Sequence, residues 1–197
     1  MTYEVIGTRR SRAFRVIWML EELGQPYAHI DALPQSQEAR AVNPLGKVPS
    51  LRDGETILTD SLAIMTYLAD KHGMLTSPAG TLDRAKQDAL TMYVMDEMDA
   101  TLWAAAKHGF VLPEPKRVEG LKPTLAWEYA HAVDVVSERL IGQDFANGDD
   151  ITITDIVLTH CATWAMVAKM KADNAVFDEY VQRMMARPAY QRATGKT

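Results

Sequence analysis

Apolar side chains follow two different spacings along this chain, and the change falls near residue 78. In the first stretch, short strand-like runs alternate with helical ones. Residues 3–7, Tyr-Glu-Val-Ile-Gly, read as a strand. Beyond an arginine-rich turn, Ala13, Val16, Ile17, Leu20 and Leu23 recur at helical spacing until Gly24 and Pro26 stop the helix. Residues 27–31 read as a second strand and 36–42 as a short helix, which ends before Asn43-Pro44 because the residue ahead of a proline avoids helical angles. Asp53-Gly54 lies between the strand-like runs 48–52 and 55–59, and such a pair predicts a two-residue hairpin loop with antiparallel strands. Asp60 and Ser61 then open a helix that passes through Ile64, Tyr67 and Leu68 to Gly73. The predicted order is β-α-β-α-β-β-α over residues 1–75.

Residues 76–81, Thr-Ser-Pro-Ala-Gly-Thr, read as a linker, and beyond them the strand signal gives way to long helical patterns. Leu82, Ala85, Ala89, Met92 and Tyr93 begin a helix expected to reach His108, with Gly109 as its stop. A second spans 121–140, before Gly142. A third opens at Thr152, which can cap it while Asp155 reaches back to the cap's amide, and it should run to about Met170. Residues 175–186 make a fourth, and Pro188 starts a short last piece. Residues 82–197 are therefore expected to form an all-α helical bundle behind an α/β amino-terminal domain.

Composition narrows the class without changing this picture. The 197 residues, 47% hydrophobic and 24% charged, suit a globular chain of one large or two small domains. A net charge of -5 argues against a nucleic-acid partner, which calls for a basic surface. No run approaches the roughly 20 apolar residues that span a bilayer. Arg9, Arg10, Arg12 and Arg15 stand where a signal peptide needs its apolar core, which makes the cytoplasm the expected compartment. The single Cys161 can build neither a disulfide framework nor a cysteine-based zinc site.

Candidate chemistry gathers at three places. The turn Thr8-Arg9-Arg10-Ser11-Arg12 lies between a strand end and a helix start, where open α/β sheets bind ligands. Its arginines oppose the helix dipole, a conflict that an anionic ligand relieves; equally, Ser11 can be a simple cap with the arginines solvated. The run Asn43-Pro-Leu-Gly-Lys-Val-Pro49 holds an X-Pro bond able to be cis, which would turn the Val48 amide and carbonyl outward for pairing with a peptide; the alternative is an edge proline that closes a loop. Asp60-Ser61 at a helix start suits an α-amino acid head group, the helix end and Ser61 hydroxyl taking its carboxylate and Asp60 its ammonium, or else it only caps the helix.

Taken together and in this order, Ser11-Arg-Ala-Phe-Arg-Val-Ile-Trp-Met-Leu-Glu-Glu-Leu-Gly24, Asn43 to Pro49, Asp60-Ser-Leu-Ala-Ile-Met-Thr-Tyr-Leu68 and Ile151-Thr-Ile-Thr-Asp-Ile156 closely resemble the cytosolic glutathione S-transferases. The resemblance covers nearly the whole chain. It implies a thioredoxin-like amino-terminal domain that binds glutathione, and a helical carboxy-terminal domain that forms most of the second-substrate pocket. Carried onto this sequence, Val48 pairs through its backbone with the cysteinyl unit, Pro49 is the cis proline, Asp60 and Ser61 hold the γ-glutamyl head group, and Lys47 and Arg10 serve glutathione binding. Asp60 stands where many relatives carry Glu. Relatives place a Tyr, Ser or Cys in the first turn to activate the thiol; here Ser11 is the first candidate, Thr8 the second and Tyr3 the third. The resemblance further implies a homodimer, glutathione as co-substrate, a small hydrophobic electrophile as the other substrate, and no metal.

A thiol of pKa near 8.5 is mostly protonated at neutral pH, whereas the thiolate is the nucleophile. A hydroxyl donating to sulfur, a helix amino end and nearby arginines all favour the thiolate, which could then attack an electrophilic carbon or a peroxide. Glutathione-dependent peroxidase or isomerase chemistry, or a noncatalytic glutathione-binding regulator, would use the same first domain. Thr8-Arg-Arg-Ser11 contains no cysteine, which excludes dithiol disulfide reduction, and Cys161 falls within a predicted helix as a buried side chain. Met92, Tyr93, Met95, Met98 and Trp103 could line an adaptable pocket or belong to the core; Trp127, Tyr129 and Trp164 are expected in the core, and His108 and His131 stand isolated.

Overall fold

A computed structural model describes residues 2–195 of the chain. The described residues up to Ala79, joined by those from Met185 onward, make one compact unit, and Gly80–Met184 make the other. In the first unit the elements are β1 (Tyr3–Ile6), α1 (Ala13–Glu22), β2 (Tyr27–Ile30), α2 (Gln37–Val42), β3 (Ser50–Asp53), β4 (Thr56–Thr59) and α3 (Ser61–His72). The four strands are ordered β2-β1-β3-β4, with β2 parallel to β1 and both β3 and β4 in antiparallel pairings. This mixed sheet with flanking helices is the thioredoxin-like arrangement expected.

Two details depart from the sequence reading. Asp53 pairs with Thr56, so the hairpin loop is Gly54-Glu55, one residue later than expected. Gly54, with φ of 61°, supplies the left-handed residue of that loop, while Asp53 stays in the strand and accepts from Tyr67 Oη and Lys71 Nζ on α3. The strand expected from residue 48 begins only at Ser50, leaving Val48-Pro49 as loop.

Helix α1 buries eight consecutive residues, Ala13–Leu20, which exceeds what one amphipathic stripe can do. One side packs on β1 and α3. The other receives the last helix, α9 (Pro188–Ala193), whose Tyr190 ring meets Phe14 at 5.2 Å and Trp18 at 4.9 Å, both edge to face. Arg187 grips both Glu22 carboxylate oxygens, and Arg192 pairs with Glu21 at 2.8 Å.

The second unit is mainly helical. From α4 (Leu82–Tyr93) the chain stays helical through α5 (Ala100–Ala106) to Val111, loosening to π-type turns at Val94–Asp99 and Lys107–Val111. Gly109 lies inside the second of these turns and does not end the helix; the extended Leu112 ahead of Pro113 does. A short 3-10 turn at Glu114–Lys116 precedes α6 (Leu121–Leu140), α7 (Ile153–Ala168) and α8 (Ala175–Met185). Ten consecutive residues of α7, Ile153–Ala162, are buried, making it the unit's central rod. Its start has the expected capping box: Asp155 accepts from the Thr152 amide at 2.7 Å and hydroxyl at 3.1 Å. The same carboxylate also accepts from the Ala146 amide and the Tyr180 hydroxyl, each at 2.7 Å.

Candidate active site

The sheet register brings the three candidate segments together. β1 ends at Ile6, which pairs with Ser50 at the start of β3, and Ser50 pairs with Thr59 at the end of β4. The turn after β1, the loop before β3 and the start of α3 therefore share one end of the sheet.

Gly7 makes that meeting close. Its φ of 147° lies where side chains rarely go, and a β-carbon there would fall 2.8 Å from Ala13 Cβ, 3.1 Å from Val48 Cβ and 3.5 Å from Pro49 Cα. The absent side chain lets the Thr8–Arg12 turn lie against the Val48-Pro49 bond, which is cis. Asn43 builds the loop from behind: buried, it donates from Nδ2 to the Lys47 carbonyl and accepts from the Leu45 amide, each at 3.1 Å. Pro49 is buried and Val48 half-buried. Among the described residues, the Val48 amide and carbonyl have no partner, so they can pair with an added extended chain. The Lys47 side chain is exposed.

At the start of α3, Asp60 has φ 70° and ψ 126°, a sparsely populated conformation for a residue with a side chain. It is held there by the amides of Leu62 and Ala63, which both donate to Oδ1, at 2.9 and 3.1 Å. Its Oδ2 is left without a partner among the described residues, on an exposed side chain suited to an ammonium. Ser61 beside it is buried and accepts from Arg15 Nη1 at 3.3 Å. Arg15 itself is 0% exposed. A buried guanidinium at the amino end of a helix adds positive potential where a carboxylate would dock. Sequence reasoning groups Arg15 only with the arginines near the start of the chain and misses its place in this site. The available signal was a single charge inside the apolar run Ala13–Leu20.

In the first turn the two candidate hydroxyls are committed differently. Ser11 Oγ donates to the Thr8 carbonyl at 2.7 Å and accepts from the Ala13 amide at 3.1 Å, so it caps the start of α1. Thr8 Oγ1 accepts a long contact from the Arg10 amide at 3.5 Å, and its proton has no acceptor among the described residues. The Arg10 side chain is exposed. Tyr3 lies at the opposite end of β1, buried, with its hydroxyl 2.9 Å from His72 Nε2. It is therefore separated from the other candidates by the length of the strand.

In the second unit, Met98, Tyr129 and Cys161 are buried, whereas Met92 is exposed. Trp127, expected in the core, is 69% exposed and stacks on His131 one helical turn away. His108 is used locally, its Nδ1 accepting from the Val118 amide. Among the described residues no three His, Cys, Asp or Glu side chains gather as metal ligands, and no helix is long and apolar enough to cross a membrane.

A family profile described as "Glutathione S-transferase, N-terminal domain" matches residues 6–78. The chain is 32% identical to glutathione S-transferase GstA of Escherichia coli O157:H7, over 78% of this chain and 75% of that protein. Among solved structures, a glutathione transferase from Methylococcus capsulatus superposes with a TM-score of 0.86 at 23% identity, covering 98% of each chain. A theta-class glutathione S-transferase from Xanthomonas axonopodis, solved with glutathione bound, superposes with a TM-score of 0.80 at 23% identity over 100% of this chain and 98% of its own.

Proposed function

Since this chain belongs to the glutathione S-transferase family, we propose that it binds glutathione at the end of the sheet where Thr8–Arg12, Val48-Pro49 and Asp60-Ser61 meet, and activates its thiol for attack on a small hydrophobic electrophile. The observation that carries the assignment of the site is the pairing of two complementary openings: the unpartnered Val48 backbone and the uncommitted Asp60 Oδ2. They match the two ends of a γ-glutamyl-cysteinyl unit, an extended backbone and an amino-acid head group. Asp60 Oδ2 takes the ammonium, while the α3 amino end, Ser61 and Arg15 take the carboxylate. Val48 pairs with the cysteinyl backbone, and Lys47 and Arg10 supply positive charge for the remaining carboxylate.

That arrangement brings the cysteinyl sulfur to the Thr8–Arg12 turn, where Ser11 and Thr8 are the candidate donors. Thr8 can donate as it stands, whereas Ser11 must first release the Thr8 carbonyl. A hydrogen bond to a charged acceptor contributes about 1.5–3 kcal/mol. It should therefore lower the thiol pKa by about one to two units. The reaction then forms a sulfur–carbon bond as the electrophile's leaving group departs with the electron pair. The protein acts in the cytoplasm as a homodimer in this reading, with glutathione as co-substrate.

Calorimetry with glutathione, followed by ultraviolet difference absorbance of the thiolate across a pH series, tests this reading. Tight binding with a lowered thiol pKa is expected; no binding would overturn it. Asp60→Ala should weaken glutathione binding at least tenfold, and unchanged affinity would remove the head-group site. Ser11→Ala and Thr8→Ala, compared by the same absorbance, identify the donor as the substitution that raises the thiol pKa while affinity holds.

A further inference from the structure

The turn that carries Thr8 and Ser11 is held from behind by two side chains that the chemistry above does not use. Arg9 Nη1 lies 2.7 Å from His29 Nδ1. A guanidinium only donates, so Nδ1 is the acceptor and the ring proton sits on Nε2. That Nε2 lies 2.7 Å from the Gly7 carbonyl, to which it donates. Strand β2 thus holds Gly7 twice, through His29 and through the Ile30 carbonyl, which accepts from the Gly7 amide at 3.0 Å. The other arm of Arg9 leads elsewhere: its Nε donates to the Ala193 carbonyl of α9 at 3.0 Å. The result is an unbroken path of hydrogen bonds from the last helix, through Arg9 and His29, to the residue immediately before Thr8.

The surroundings keep Arg9 in this position. Tyr27, two residues before His29 on the same strand face, donates to Glu21 on α1 at 2.8 Å, and Glu21 also pairs with Arg192 of α9 at 2.8 Å. Burial, then the Glu21 hydrogen bond and charge, push the Tyr27 hydroxyl up to about 12, so it remains a neutral donor beside the guanidinium. Arg9 Nε and Nη1 are each committed to a fixed acceptor on a different element, which marks the side chain as a brace.

We propose that Arg9 and His29 are positioning residues that set the Thr8–Ser11 turn for thiolate formation, and that α9 is the anchor against which they set it. The inference rests on the proposed glutathione site. Its physical basis is that a hydroxyl stabilises sulfur only when correctly placed, and a displacement of about 1 Å at a reacting centre can cost about 100-fold in rate. Head-group recognition at Asp60 and Ser61 uses other elements and should be insensitive to the brace.

Three substitutions separate this from a structural role and from simple charge. Arg9→Lys keeps the charge but loses the planar two-armed donor. His29→Leu removes both hydrogen bonds, and His29→Gln offers an amide that can accept from Arg9 and donate to Gly7. For each folded variant, the glutathione dissociation constant is measured by calorimetry and the bound thiolate by ultraviolet difference absorbance against pH. Arg9→Lys and His29→Leu should reduce the thiolate fraction at a fixed pH below the thiol pKa about tenfold, with the dissociation constant changed less than twofold, and His29→Gln should restore it. If His29→Leu fails to fold, Arg9→Lys decides alone. An unchanged thiol titration in Arg9→Lys would overturn the proposal, as would a His29→Gln variant as impaired as His29→Leu, or losses of affinity that fully account for the losses of thiolate. Wild-type protein that binds no glutathione would overturn the site itself, whereas wild-type lowering of the thiol pKa that survives in the variants would overturn the brace alone.

Discussion

At the residue scale, two ionisable groups of the first unit tie its stability to pH in opposite directions. The Asp53 carboxylate accepts from Lys71 Nζ at 2.5 Å and Tyr67 Oη at 2.6 Å, which hold its pKa below the usual carboxylate range. A lowered folded pKa means this contribution is complete above the ordinary value of about 4 and is lost as pH falls through the folded value. Asp53→Asn should therefore flatten the acid limb of a pH–stability curve followed by urea unfolding and, because Asp53 also holds the Lys71 ammonium above its ordinary pKa, flatten the loss above about pH 10 as well. Tyr27 acts the other way: raised from 10.0 to about 12 by burial and Glu21, it contributes below pH 10 and loses that contribution as pH rises toward 12. Tyr27→Phe should remove the corresponding alkaline loss in the same assay. The sequence displayed the site's residue types but not their commitments. Ser11 and Thr8 read alike as hydroxyls in a turn, yet one proton is held by a carbonyl and the other is not. Arg15 and Asn43 went unassigned because burial and loop-closing hydrogen bonds depend on what the fold places beside them.

At the element scale, α7 depends on one carboxylate. Asp155 closes the capping box and at the same time accepts from the Ala146 amide and Tyr180 hydroxyl, so it fastens the preceding loop and α8 to the start of the central helix. Removing it strands buried donors, each costing about 1–3 kcal/mol. Asp155→Ala should cost about 4 kcal/mol in urea unfolding monitored by far-ultraviolet circular dichroism, and a loss under 1 kcal/mol would show that water replaces the carboxylate. This element was legible in advance because a capping box is a local pattern, Thr152-Ile-Thr-Asp155. The strands of the first unit were legible for the same reason, through their short apolar runs and turn residues. The end of the helical run after α5 was not. Gly109 looked like a stop, but a glycine ends a helix only when it turns left-handed, and here the π-type turn carries the backbone past it to Leu112.

At the scale of the whole molecule, the informative feature is that the first unit is discontinuous in sequence: its last helix returns after more than a hundred residues spent in the second unit. Helical periodicity shows that residues 188–193 can form a helix, but it carries no information about the surface that helix covers. The answer lies in α1, which is apolar on the side facing the sheet and also on the side where Phe14 and Trp18 meet Tyr190. A helix apolar all round must be covered all round, and Arg187-Glu22 and Arg192-Glu21 fix the orientation of the cover. The aromatic contact should outweigh the Arg192-Glu21 pair, whose arginine is half exposed, since exposed ion pairs contribute little. Truncating a large core aromatic typically costs about 3–5 kcal/mol. In a chain of this size that corresponds to about 10 °C in the unfolding midpoint. Tyr190→Ala should show a loss of that order by calorimetry, whereas Arg192→Ala should move the midpoint by about 3 °C or less. Equal shifts would mean that charge, rather than aromatic packing, holds the carboxy-terminal helix on α1.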